Sequence, residues 1–206
     1  MTLSSLERSH LVIHSCAVGA AFWSGAWGSV PVLGETPDTA GLLVICSVMG
    51  GLLAHVNGHQ SDRWQFMGVA TAAGQYFAGA LIIKGLSSFI PVFGTIVNAG
   101  VSLATVEAVG WAFYLILEEG ADPSALSKKE IEDYLKRGKK LREENSRSGA
   151  FAWMDRMSAE DKKRHAALTK ELTNPDLSPE RRTDILRELE LLFEAYRPPG
   201  DEPQGA

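Results

Sequence analysis

Between Leu11 and Leu117 the chain carries four apolar runs with almost no charge inside them. The first, Leu11 to Val30, is rich in Gly, Ala and Ser, and Ala17, Ala21, Gly25 and Ser29 fall four apart. That spacing puts the small residues on one helical face, where a second helix can approach closely. Pro31-Val32-Leu33-Gly34 ends the run, because Pro removes a backbone donor and Gly permits a turn. Thr36-Pro37-Asp38 supplies a helix start, with Thr36 or Asp38 as its cap. The second run, Thr39 to Val56, is the most hydrophobic part of the first half and stops at Asn57-Gly58. A polar link, His59 to Arg63, leads to Trp64 and a weaker third run, Phe66 to Leu86. This one has Gln75 inside, Lys84 near its end and a stripe of Ala70, Gly74 and Ala78. The fourth lies within Phe89 to Gly120 and has its own stripe, Gly100, Ala104, Ala108 and Ala112. It holds about 22 mostly apolar residues after Gly94, long enough to cross the ~30 Å hydrocarbon core of a bilayer.

The runs repeat a plan. Pro31-Val32-Leu33-Gly34 matches Pro91-Val92-Phe93-Gly94, each preceded by a small-residue run and followed by a longer apolar run with a glycine at a similar offset, Gly51 and Gly110. The pattern predicts two helical hairpins of one design.

Beyond Gly120 the pattern changes. Ser127 to Arg147 reads as a charged helix opened by a Ser127–Glu130 capping box, with Ile131, Tyr134, Leu135 and Leu141 available for burial and Gly138 weakening its middle. A helical segment over Phe151 to Leu172 restarts at Ser158, and Ser178-Pro179-Glu180 opens another. The last has an apolar face of Leu186, Leu189, Leu192, Phe193 and Tyr196, expected to meet a protein partner; Pro198 to Ala206 reads as a disordered end. The predicted fold is all-α: two Gly/Ala-rich hairpins (four apolar helices), then a charged helical tail. It divides into residues 1–120, membrane-associated, and 121–206, cytoplasmic.

Composition sharpens this division. The averages look soluble, with 22% charged residues and a mean hydropathy of −0.03. Yet residues 1–120 hold three basic and seven acidic residues, against seventeen and eighteen in 121–206. A net charge of −5 gives no argument for nucleic acid. Cys16 and Cys46 sit in apolar runs without metal or redox spacing. No signal-peptide cleavage site is visible after the first run. The missing polar face across the runs points to a bilayer rather than to a soluble helical core. The basic residues after Gly120 then place both termini on the cytoplasmic side of the inner membrane. Because the first and third runs are dominated by small residues, shallow hairpins or helices shielded by partners remain alternatives to full spans.

The two hairpins, through PVLGETPDTAGLLVICSVMGGLLAHVNG and IPVFGTIVNAGVSLATVEAVGWAF, resemble an uncharacterised bacterial domain family of YcjF-type inner-membrane proteins, with the EcsC family as a second likeness. The resemblance covers about residues 10–120. It implies membrane association and a partner GTPase, not a catalytic site.

Candidate chemistry is sparse. Glu107 is an acid inside an apolar run, a costly placement that marks a bundle interior, a partner contact or a transport path. Asn98 and Thr105 are polar neighbours, and Lys84 is a candidate counter-ion. His10 and His14 are four apart, as are His55 and His59, so the pairs could share a transition metal at one end of the first two helices. No phosphate-binding loop, HExxH string or nucleophile elbow occurs, so no enzyme is expected. The leading reading is a non-enzymatic membrane anchor for a cytoplasmic protein partner, with self-association open. A small transporter or channel component using Glu107 is one alternative, and a metal-binding bundle is another.

Overall fold

A computed structural model describes residues 3–27, 37–59, 63–73, 94–147 and 152–197, with side chains at 3–21, 42–59, 65–73, 103–146 and 153–197. The expected turns 31–34 and 91–93, Lys84 and most of the third run lie outside these residues. The protein is all-helical, as the apolar periodicity and capping signals predict. Helix α1 runs Ser5–Trp27 and α2 Pro37–Val56; a 3₁₀ turn, Arg63–Phe66, leads into α3, described over 67–73. Then follow α4 (Gly94–Glu118), α5 (Lys128–Arg147), the short α6 (Ala152–Arg156), α7 (Ala159–Leu172) and α8 (Pro179–Tyr196).

The helix ends follow from local chemistry. Ser4 and Glu7 exchange a capping box at the start of α1, with the Ser4 N–H donating to Glu7 at 2.8 Å and the Glu7 N–H donating back to the Ser4 hydroxyl. Ser127 and Glu130 do the same for α5. Ser158 accepts from the Asp161 N–H at α7, and Ser178 accepts from the Arg181 N–H at α8, where Pro179 holds the first helical position. Helix α4 stops at Gly120, whose φ of +65° lets the Ala121 N–H turn back onto the Ile116 carbonyl.

Cross-contacts fix the directions. Asn57, past the end of α2, bonds to Ser5 and Ser9 at the start of α1, so these helices are antiparallel. His10 packs on Trp111 and His14 bonds to Glu107, so α4 also runs antiparallel to α1. Helix α5 folds back along α4: Tyr134 and Arg137 reach Glu119 at one end, and Arg142 reaches Glu107 further along. Helix α7 lies on α1, where Thr169 and Thr173 face Gly19. Helix α8 returns past the start of α1 through the pairs Arg8–Glu190 and Arg197–Glu7. Trp27, Pro37, Gly94 and Arg147 thereby lie towards one end of the bundle.

The step in composition at Gly120 does not interrupt the core. Ile13, Met49, Leu53, Phe66, Trp111, Phe113 and Ile116 form one cluster with Leu135, Leu172, Ile185 and Leu189 from the charged half. Small residues make the joins, since the α-carbon of Gly138 faces the Ala108 carbonyl and the Ala112 backbone, and Gly110 sits against Ile13 and Met49. The expected partner-binding face of α8 is used internally. Leu186, Leu189 and Leu192 are buried, Phe193 stacks edge-on against Trp153, and the Tyr196 hydroxyl bonds to Asp161. An amphipathic helix buries its apolar stripe wherever a matching one is offered, and here the chain itself offers it.

Candidate functional site

Glu107 is the focus of a buried ionic cluster. It projects from the middle of α4 and is 3% exposed. One carboxylate oxygen lies 2.9 Å from His14 Nδ1 of α1, and the other accepts from Arg142 Nε of α5 at 3.1 Å. Three helices therefore converge on one carboxylate. Burial pushes the Glu107 carboxyl up, but the hydrogen bonds and charges of His14 and Arg142 outweigh it and hold the group below the usual carboxylate range. Glu107 is ionised and fully engaged at neutral pH.

Arg142 arrives here because it shares a face of α5 with the buried positions Ile131, Leu135 and Gly138, at spacings of four, three and four. That periodicity was present in the sequence. An arginine continuing an apolar stripe signals a buried counter-ion, which hydrophobic bookkeeping alone passes over. Thr105 is half-buried, two residues from Glu107 and so on a different side of α4. Asn98 belongs to α4, but its side chain lies outside the described residues, as does Lys84.

Two further histidines border this cluster. His10 packs its ring on Trp111 at 5.2 Å; burial and the neighbouring His14 push it down to about 4, against an opposing pull from Glu107. His165 of α7, which the sequence reading did not single out, is 6% exposed and stands edge-on to Trp153 at 5.7 Å. Burial, with a contribution from His14, pushes it down to about 4, and its Nε2 has no hydrogen-bond partner among the described residues. His165 continues the stripe of Leu168 and Leu172, the signal that could have found it.

The expected histidine quartet does not assemble. His10 and His14 face the α1–α4 seam, whereas His55 and His59 are exposed. His55 lines a groove of about 580 Å³ between α2 and the α7–α8 connection, with Val48, Leu52, Leu177, Arg182 and Leu186. His59 lines a smaller cleft with Gln65 and Pro123. Among the described residues no three His, Cys, Asp or Glu side chains gather as a metal ion requires. Cys16 and Cys46 are free thiols in the core. Glu107 lines neither of these two clefts. The cluster's chemistry is that of a clamp: one anion fastening α1, α4 and α5.

Among the described residues no helix is long and apolar enough to cross a membrane. No family model, curated protein or solved structure matches the chain.

Proposed function

We propose that this protein is a non-catalytic, membrane-associated helical module. One end of its bundle meets the inner-membrane lipid, and its charged helices present it to a cytoplasmic protein partner. The observation that carries this reading is the distribution of charge along the bundle axis. The ion pairs Arg8–Glu190, Glu119–Arg137 and Arg197–Glu7, which involve α1 and α4, gather at one end, and Glu107–Arg142 stands midway; the covering helices carry charge further, at Arg181–Glu171 and Arg147. Beyond that level α1 continues to Trp27 with no Asp, Glu, Lys or Arg. Helix α4 has none between Gly94 and Glu107, while α2, which runs the other way, has Asp38 at that end and none after it. A helix surrounded by water on a soluble protein normally shows an ionic residue every turn or two. Lipid is the solvent that suits its absence.

The partner is the less defined half of the reading. The exposed positions Lys128, Lys129, Lys136 and Lys139 of α5 offer a polar face, and a small GTPase is the class that the family resemblance implies. Flotation of the purified chain with phosphatidylethanolamine/phosphatidylglycerol vesicles tests the membrane half. The chain is expected in the floating fraction and to resist carbonate extraction from cells. Recovery in the dense fraction, with free release by carbonate, removes the proposal.

A further inference from the structure

We infer that α6, α7 and α8 form a cap that opens from α1 as one body and uncovers an α1 stripe of Val12, Cys16 and Gly19. Such a device operates whether or not the protein meets lipid. The cap is fastened within itself. Arg181 forks onto Glu171, with Nε and Nη2 both at 2.8 Å from the carboxylate, and Arg164 reaches Glu188 at 2.9 Å. Arg182 donates to the carbonyls of Leu172 and Asn174, joining the end of α7 to the start of α8. Trp153 of α6 stands edge-on to both His165 of α7 and Phe193 of α8. All of these links lie inside residues 153–197.

The seam with α1 is built differently. At the charged end it is held by two ion pairs, Arg8–Glu190 and Arg197–Glu7, with all four side chains partly exposed. Further along, Thr169 and Thr173 meet Gly19. Ser15 lies four residues before Gly19 and so on the same side of α1. Its hydroxyl is buried with no hydrogen-bond partner among the described residues, as is His165 Nε2. Buried polar atoms left without partners cost free energy, which hydration returns when the seam opens. The other edge of the cap borders the groove of about 580 Å³ between α2 and the α7–α8 connection, where the exposed His55 and Asp176 let water reach it. Helices α4 and α5 show the opposite build: Gly138 brings backbone against backbone, and Glu107 is bonded on both oxygens. A protein opens first where its seams are least satisfied. Leu172, Ile185 and Leu189 belong to the common core, so the closed form dominates.

The two native cysteines read the opening. Val12, Cys16 and Gly19 are spaced four and three apart, so Cys16 shares the face that α7 covers, and the charge of Arg182 on α8 reaches it. Cys46 instead shares a stripe with Gly50, which packs on Phe66 of the 3₁₀ turn. Both thiols are free, and burial pushes each up to about 12, so neither reacts while covered. The full chain is treated with iodoacetamide over a urea series below the unfolding transition, and each cysteine is followed by site-resolved mass spectrometry. Cys16 should label through an opening whose urea dependence is well below that of global unfolding. Arg8→Ala and Arg197→Ala should each raise its rate several-fold and leave the Cys46 rate unchanged. Hydrogen exchange of the parent chain should give residues 165–172 and 185–192 one shared protection, lower than that of residues 108–117. Labelling of Cys16 only as fast as the whole protein unfolds overturns the proposal. Different protection for α7 and α8 overturns the single body. Equal acceleration of Cys46 in the arginine variants means a general loosening of the core, and overturns it as well.

Discussion

Glu107, whose place in an apolar run leaves a bundle interior, a partner contact or a transport path open in sequence, is bonded in three dimensions by two neighbouring helices. Its carboxylate is buried, ionised and bonded on both oxygens, to His14 and to Arg142. Removing one member of a buried charge pair costs about 3–5 kcal/mol, because the partner left behind has lost its compensation. Arg142 keeps 29% of its side chain exposed, which places the expected loss at the lower bound, about 3 kcal/mol for Glu107→Gln, read from the urea midpoint. The contrast is Lys140–Glu144, a 3.8 Å pair with both side chains mostly in solvent. Lys140→Ala should move the same midpoint by less than about 0.5 kcal/mol. Equal effects from the two substitutions would mean that the Glu107 cluster bears no special share of stability.

The stripes of small residues belong to the scale of elements, and here the sequence was partly legible. Ala108 and Ala112 do mark the packing face of α4, and the capping serines at 127, 158 and 178 do open helices. What packs there was not legible. Small residues in apolar runs suggest contact with another apolar helix, whereas the neighbour is the charged α5. Gly138 hid this, because propensity reads a mid-helix glycine as a weakness, and only the opposing backbone reveals it as an approach point. A Cβ at 138 would lie 2.5 Å from the Ala108 carbonyl oxygen and 2.6 Å from the Ala112 nitrogen, backbone atoms that cannot step aside. Gly138→Ala should therefore destabilise by about 1–3 kcal/mol, despite alanine's better helix propensity. Gly68 in α3 has nothing within 4 Å of such a Cβ, so Gly68→Ala should gain up to about 1 kcal/mol. Thermal melts of the two variants should move in opposite directions. Likewise the α8 stripe of Leu186, Leu189 and Leu192 was correctly read as apolar and buriable, but periodicity does not name the surface that covers it.

For the molecule as a whole, the buried histidines set the response to acid. His10 and His165 sit near 4 in the folded protein, against 6.5 for an ordinary imidazole. Below pH 6.5 the unfolded chain takes up protons that the native state refuses, so stability is full above that value and falls as pH drops towards 4. For His165 the shift corresponds to about 2–3 kcal/mol across that window. The Glu107 contribution follows at lower pH, since its carboxyl titrates below the ordinary 4.5. The urea midpoint should decline between pH 6.5 and 4 in the parent, and less steeply in His165→Phe; parallel slopes would contradict the assignment. Finally, the pairs Arg8–Glu190 and Arg197–Glu7 have a bearing on biosynthesis. Helix α1 leaves the ribosome first, but the groups that fasten it on α8 are made some 180 residues later. The apolar helices are thus finished while their charged covers are still untranslated. The seams among α1, α2 and α4 can therefore close during synthesis, whereas the contacts of α1 with α8 form only once the C-terminal helix has been made.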